Sequence, residues 1–229
     1  MESLIPRELV EVAPGAVHVP DWLTADQQRR LVDAWRDWAP GGDRLGMRHT
    51  VLPTGGRMSV QTVCLGWHWE PYRYVREADG TPVAEFPEWL GGLARDGVAA
   101  AYGDGDLATS YEPDCALINY YDETAKMGMH RDREEQVDAP VVSFSIGATC
   151  TFRFGNTVNR KAPYTDIELR SGDLFVFGAP SRFAYHGVVK PVHPGTGDPA
   201  LGLNHGRINY TIRVTGLEPA PSPRRSPEA

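Results

Sequence analysis

From Asp114 onward, apolar and polar positions alternate in short runs. They are Cys115–Tyr121, Val141–Ile146, Ala148–Phe154, Thr165–Leu169, Asp173–Phe177, Phe183–Val189 and Arg207–Val214. Each is rich in β-branched or aromatic residues and is bounded by Gly, Pro, Asn or Asp, the pattern of strands in a folded sheet. Ahead of them the period is helical. Leu23, Leu31, Val32, Trp35 and Trp38 form a mostly one-sided stripe over Thr24 to Ala39, with Thr24 and Gln27 at capping-box spacing and Pro40-Gly41-Gly42 as the stop. A second helix is predicted after Phe86, with Pro87 at its first position and Trp89, Leu90, Leu93 and Val98 buried. Its Gly91-Gly92 pair weakens the middle turn. Seven strands behind two helices predict an α+β, mainly β architecture: helices packed on an antiparallel sandwich or jelly roll.

Two stretches do not follow either period. Leu45 to Pro82 mixes Trp67, Trp69, Tyr72 and Tyr74 with His68, Arg73 and Arg76. Aromatics interleaved with Arg suit a surface on which bases stack, and a hairpin covering the sandwich has the same composition. Residues 218–229 are Pro-rich and polar, which predicts a disordered tail. The remaining division is an N-terminal helical region over 1–112, with the aromatic segment at about 45–82, and a β core over 113–217.

At 229 residues, 41% hydrophobic and 23% charged, the chain has the composition of one globular domain. No apolar run reaches the ~18 residues of a bilayer span, and Met1 to Glu11 lacks the layout of a signal peptide. Cys64, Cys115 and Cys150 are far apart with no CxxC pair, against a disulfide framework or a structural zinc site. These features predict a soluble, reducing, cytoplasmic setting, and nothing in the sequence suggests more than a monomer. The net charge of −7 argues against a nucleic-acid partner, but it is unevenly spread. Residues 77–139 carry four Lys/Arg against fifteen Asp/Glu, whereas 40–76 carry five against two and 150–190 six against three. Basic local surface can meet phosphates while the whole stays acidic, and ordinary solvated faces fit the same numbers. Charge does not decide the partner.

The candidate chemistry lies in His130-Arg131-Asp132, which follows a predicted strand, and in His186 near the end of another. Two imidazoles and one carboxylate on one face of an octahedral ion leave three positions open. That is the facial triad of non-haem Fe(II) oxygenases, where the open positions receive a chelating co-substrate and dioxygen. Ligands two apart in extended chain point the same way. The pair alone is weak, because seven His and thirty acids give an H-x-[D/E] about once by chance. His68-Trp69-Glu70 is another, and a hydrogen-bonded loop histidine is the plain alternative for His130. The final strand adds weight. Arg207, Asn209, Thr211 and Arg213 share one face, opposite Ile208, Tyr210 and Ile212. A strand with one solvated face reads the same way, yet two guanidiniums flanking an amide suit a small dicarboxylate. Asn119 and Tyr121 can add contacts from a neighbouring strand. A triad beside such a clamp points to 2-oxoglutarate.

The order of these motifs resembles the AlkB family of Fe(II)/2-oxoglutarate dioxygenases. The residues concerned are Asn119-Tyr-Tyr121, His130-Arg-Asp132, Ser143-Phe-Ser-Ile-Gly147, Phe152-Arg-Phe154-Gly155, Ser171-Gly-Asp173, Ser181-Arg-Phe-Ala-Tyr-His186-Gly187 and Arg207-Ile-Asn209-Tyr-Thr-Ile-Arg213. They span roughly residues 45–214, and the RxNxxxR close is the most specific. The resemblance implies a double-stranded β-helix core, of jelly-roll or cupin type, with N-terminal helices and a nucleotide-recognition lid. It implies iron held by His130, Asp132 and His186, which serve as the catalytic centre. Arg207 and Arg213 would pair with the two ends of 2-oxoglutarate, assisted by Asn119, Tyr121 and Asn209. In the lid, Leu65-Gly66-Trp67 and Tyr72-Arg73-Tyr74 resemble family elements. Trp67 would stack on the damaged base opposite His130, Tyr72 would meet the nucleic-acid backbone, and Met58 falls in a matching MSV stretch. Glu134 and Glu135 lie where the family reads the exocyclic amine of the base. Glu134 stands where bacterial members have aspartate, and Arg131 and Arg133 replace Gln and Lys. Arg160 and Lys161 lie in a segment, Asn156–Pro163, that aligns loosely with a phosphate-contacting loop.

The activity so implied is repair of N-alkylated bases such as 1-methyladenine and 3-methylcytosine in DNA, single strands preferred, with RNA as a further substrate. Decarboxylation of 2-oxoglutarate with dioxygen is coupled to hydroxylation of the alkyl carbon, and the hemiaminal collapses to formaldehyde and the restored base. The runner-up reading is a 2-oxoglutarate dioxygenase acting on a protein side chain or small metabolite. A third is a non-catalytic cupin-like binding domain.

Overall fold

The chain enters through a hairpin that the seven predicted strands do not include. In the computed structural model, which describes residues 6–218, β1 (Val10–Ala13) and β2 (Ala16–Val19) are joined by Pro14-Gly15. Gly15 has φ +74°, and an added Cβ would lie 2.4 Å from the Ala179 carbonyl oxygen, so glycine alone fits this turn. Residues 219–229, on which most of the expected tail falls, lie outside the described residues.

Helix α1 (Ala25–Trp38) has the expected capping box: the Thr24 hydroxyl accepts from the Gln27 amide and the Gln27 side chain accepts from the Thr24 amide. The aromatic segment is mostly extended: β3 (Arg48–Val51), β4 (Arg57–Leu65), the hairpin β5–β6 (His68–Glu70, Arg73–Val75) and the short pair β7–β8 (Glu77–Ala78, Thr81–Pro82). Helix α2 (Glu88–Tyr102) starts one residue later than expected, with Pro87 as its N-cap, and its Gly91-Gly92 pair does not interrupt it. A short α3 (Gly105–Ser110), capped by the Asp104 carboxylate, follows. All seven predicted runs are strands: β9 (Cys115–Tyr121), β10 (Val141–Gly147), β11 (Cys150–Phe154), β12 (Thr165–Leu169), β13 (Leu174–Phe177), β14 (His186–Val188) and β15 (Arg207–Arg213).

They form a jelly roll. The larger sheet runs β1-β2-β13-β10-β15-β9-β4-β3 and the smaller β12-β11-β14, with every pair antiparallel. Four of the eight strands of the larger sheet, β1 to β4, come from before residue 113. The reason is the edges: β13 and β9 would otherwise expose a row of unpaired backbone groups, and β2 and β4 pair with them.

The two faces of the larger sheet have different neighbours. On one, Phe144, Ile208, Tyr210 and Ile212 lie under the helices, with Leu31, Val32, Leu90 and Val98. Trp22 stacks on Phe144 at 5.6 Å and Trp35 on Tyr120 at 5.4 Å, and the Tyr210 hydroxyl donates to the Leu31 carbonyl at 2.6 Å. The other face looks toward the smaller sheet across Phe152, Phe154, Phe175 and Phe177. Among the described residues no helix is long and apolar enough to cross a membrane.

One buried ion cluster fastens the chain's entry to the core. Asp173, wholly buried, accepts from Arg7 Nη1 (2.8 Å) and Nη2 (2.6 Å), from the amides of Asp21 and Arg170, and lies 2.9 Å from His18 Nε2. Burial opposes its ionisation, but His18, Arg7 and the amides outweigh it and hold the carboxyl below the usual carboxylate range. The stabilisation is therefore present at neutral pH and is lost as pH falls through that depressed value. Asp173→Asn is expected to lower stability at pH 7 by about 3–5 kcal/mol, by leaving Arg7 without its buried partner. Urea unfolding at pH 7 and pH 3 checks this: the wild type should lose more stability than the variant on acidification.

Candidate metal centre and its cavity

The polar face of the larger sheet forms the floor of the site. In register, Asn209 lies opposite Asn119 and Ser145, Arg207 opposite Tyr121 and Gly147, and Thr211 opposite Leu117 and Ser143. Thr62 of β4 continues the row beside Asn119 and donates to its carbonyl at 2.8 Å. Period-2 alternation thus aims Asn119, Tyr121, Arg207, Asn209 and Arg213 at one cavity of about 630 Å³, which all five line.

The triad converges at the wall of this cavity. His130 and His186 exchange backbone hydrogen bonds of 2.9 and 2.8 Å, an isolated bridge that sets their side chains together. Their Nε2 atoms lie 3.7 Å from the two Asp132 oxygens, and the three ligand atoms are all within 4.8 Å of one another. Each Nδ1 is 3.0 Å from a carbonyl, that of Gly128 for His130 and of Ala184 for His186. With Nδ1–H donating there, each Nε2 keeps its lone pair for a metal. His186 is walled in by Phe152, Phe154 and Phe177, and burial, reinforced by His130, holds its pKa down to about 4. Burial opposes the ionisation of Asp132, but Arg213, His186 and His130 overcome it and keep the carboxyl well below its ordinary range. Neutral imidazoles and an ionised carboxylate are the forms that bind a divalent cation.

Buried polar atoms without partners mark what the site accepts. Among the described residues they include Asp132 Oδ2, Arg207 Nε and Nη1, and Arg213 Nε. Leaving such groups unmet costs about 1–3 kcal/mol each, and more for charged ones. An unmet carboxylate oxygen 3.7 Å from His186 Nε2, in a group with His130, fits a metal ion. The Arg207 guanidinium, 1% exposed and bonded only through Nη2 to the Ser145 hydroxyl, fits a carboxylate. The donor set therefore suits both Fe(II) and 2-oxoglutarate.

The structure sorts the expected substrate residues. Met58, Tyr72, Glu134 and Arg160 line the cavity with the triad; Trp67 and Glu135 do not. Gly66 has φ +74°, and an added Cβ would lie 1.9 Å from the Asp114 carbonyl oxygen, which forces a tight turn. That turn folds Trp67 into a cluster with Cys64, Cys115 and Leu117, where its Nε1–H donates to Asp114 at 3.0 Å and Arg76 sits 3.6 Å over the ring. Trp69 lines the cavity instead. Glu135 is drawn inward by two guanidiniums: its carboxylate accepts from Arg182 Nη2 (3.0 Å) and Arg213 Nη1 (2.9 Å), and from the Tyr74 hydroxyl. Arg57, Lys126, Arg131 and Arg133 also line the cavity and were not singled out as site residues; spacing gave no signal for them, and only the local excess of Lys/Arg pointed to the first.

Comparison with known proteins bears on this arrangement. A jelly roll presenting two histidines and a carboxylate beside a buried, carboxylate-seeking arginine defines a class of metal-dependent oxygenases. Residues 15–213 match the 2OG-Fe(II) oxygenase superfamily. The chain is 35% identical to the alpha-ketoglutarate-dependent dioxygenase AlkB homolog of Caulobacter vibrioides (strain NA1000 / CB15N), over 88% of each chain. It is 31% identical to the DNA N(6)-methyladenine demethylase ALKBH1D of Arabidopsis thaliana, over 90% of this chain and 52% of that one, and so spans about half the length of that relative. The solved structure of OsALKBH1 superimposes with a TM-score of 0.78 at 29% identity, covering 90% of this chain and all of the other. The chain belongs to the AlkB family of Fe(II)/2-oxoglutarate oxygenases.

Proposed function

We propose that this chain uses Fe(II), 2-oxoglutarate and dioxygen to remove N-alkyl groups from bases of nucleic acid, with 1-methyladenine and 3-methylcytosine in single strands as the favoured substrates. The observation that carries the reading is that Trp69, Tyr72 and a set of basic side chains line the same cavity as the triad. An aromatic ring gives a flipped base a stacking partner, and Arg and Lys at the mouth receive its phosphates. A site for a small metabolite needs neither.

When bound, Fe(II) with 2-oxoglutarate supplies the oxidising power to hydroxylate a C–H bond. The chain's own residues do the rest. His130, Asp132 and His186 fix the ion, and Arg207 takes the distal carboxylate of the co-substrate, with Tyr121 beside it at 5.2 Å. Asn119 and Asn209 are oriented by Thr62 and by Ser143, the latter at 2.8 Å, so that the cavity floor is fixed before any ligand enters. Glu134 gives a negative wall beside a base made cationic by N-methylation, while Tyr72 and Arg160 meet the backbone.

Formaldehyde release tests the proposal, using 1-methyladenine and 3-methylcytosine oligonucleotides, single- and double-stranded, in DNA and RNA, with an N6-methyladenine arm because of the relative's name. Release that requires both Fe(II) and 2-oxoglutarate and is fastest on the first two lesions in single strands is expected; release only from methylated peptides or free nucleosides would overturn it. The aromatic assignment gives a separate prediction. Trp69→Ala should weaken binding of a methylated oligonucleotide by about 1–3 kcal/mol, the worth of one stacked base. Trp67→Ala should instead lower the melting temperature, because that ring fills a core cluster. Fluorescence anisotropy and thermal melting of the two variants separate these effects.

A further inference from the structure

A buried set of charges ties the metal carboxylate to side chains to which the proposed chemistry gives no part, Arg182, Glu135 and Tyr74. Arg182, 2% exposed, donates from Nε to the Ala139 carbonyl (2.7 Å), from Nη1 to the Asp132 carbonyl (3.0 Å) and from Nη2 to Glu135 (3.0 Å). Arg213 is gripped on two sides: Nη2 lies 2.7 Å from Asp132 Oδ1, and Nη1 donates to Glu135 (2.9 Å) and to the Tyr74 hydroxyl (2.7 Å). Tyr74, from β6, in turn donates to Glu135. Arg213 Nε alone is left without a partner.

We infer that Glu135, clamped by Arg182 and Tyr74, is a positioning residue for Arg213 and Asp132, and that it sets co-substrate affinity rather than reading the base. The inference rests on the proposed Fe(II)/2-oxoglutarate reading. Two anions and a phenol hold both Nη atoms of Arg213, which fixes the guanidinium plane and leaves Nε–H without a partner, in a residue that lines the cavity. Arg182 holds the backbone of the metal carboxylate with one hand and Glu135 with the other, so Asp132 and Arg213 are tied to one frame. Residues that orient metal ligands in this way change metal affinity or activity about 10–100-fold when removed, and a co-substrate held by the same frame is expected to respond on that scale. Base reading falls to Glu134, which lines the cavity, whereas Glu135 has its carboxylate committed elsewhere.

The test measures 2-oxoglutarate affinity by calorimetry on full-length Mn(II)-loaded protein, together with relative binding of 1-methyladenine and 3-methylcytosine oligonucleotides. Glu135→Gln, which keeps the shape and removes the charge, is expected to raise the Kd for 2-oxoglutarate about tenfold and to leave the preference between the two lesions unchanged. Glu134→Gln is expected to do the reverse. Should Glu135→Gln not fold, Tyr74→Phe carries the test, since it removes one hydroxyl that meets both Glu135 and Arg213; a rise of about threefold is expected. An unchanged 2-oxoglutarate Kd in these variants, or a shifted lesion preference in Glu135→Gln, would overturn the inference. Wild-type protein that binds no 2-oxoglutarate would instead overturn the functional reading beneath it, and the two failures are thereby told apart.

Discussion

Asp132→Ala is expected to cut formaldehyde release from a methylated oligonucleotide by at least about a thousandfold, roughly 4 kcal/mol of lost transition-state stabilisation. Asp132 is the only carboxylate among the described residues grouped with His130 and His186, so its removal leaves two imidazoles without the charge that holds a divalent cation. The fold should survive. Arg213 loses one anion but keeps Glu135 and Tyr74, and Arg182 holds the backbone at position 132, which the substitution does not alter. Metal analysis should show that the variant retains less than one-tenth of the wild-type iron while its thermal melting remains cooperative. Full activity in this variant would mean that the metal lies elsewhere.

The second large effect has two opposite signs. Arg207 is a buried charge with no carboxylate partner among the described residues, and two of its nitrogens, Nε and Nη1, are unmet. Replacing it by methionine, of similar volume, removes a costly unsatisfied charge and the anchor for a dianion together. Arg207→Met should raise the Kd for 2-oxoglutarate about a hundredfold, some 2.7 kcal/mol. The same change should stabilise the ligand-free protein by about 1–3 kcal/mol. Arg207→Lys should not restore affinity, because a point charge cannot form the paired hydrogen bonds of a guanidinium with a carboxylate. A variant that loses stability and binds 2-oxoglutarate normally would assign Arg207 to the scaffold.

The sequence was most legible where one face of a strand is apolar and the other has chemistry to do. In β15, Ile208, Tyr210 and Ile212 face the helices while Arg207, Asn209, Thr211 and Arg213 face the cavity, and both sets follow from period 2. The spacing of His130 and Asp132 was readable for the same reason, but their meeting with His186 depends on pairing between segments 56 residues apart, which no local pattern states.

Strands β1, β2 and β4 were missed for a different reason. Pro14-Gly15 separates two short runs, and Met58, Val60, Thr62 and Cys64 alternate with Ser59, Gln61 and Val63, but neither pattern names a partner strand. Their role follows instead from the need of β13 and β9 for partners, which is a property of the assembled sheet. Trp67 and Trp69 show the limit most plainly. Both are two residues apart in an aromatic segment, and the turn at Gly66, set by the nearby Asp114 backbone, decides which of them is core and which lines the cavity. Glu135 likewise reads as a substrate contact until Arg182, 47 residues away, is seen to hold it.

Crystals grown with Mn(II) and 2-oxoglutarate, with data collected at the manganese absorption edge, decide whether the metal and co-substrate sit where the triad and Arg207 converge. One anomalous peak bonded to His130 Nε2, Asp132 and His186 Nε2 is expected, with a carboxylate of the co-substrate against Arg207. A peak bonded to other side chains, or a co-substrate lying away from Arg207, would contradict it.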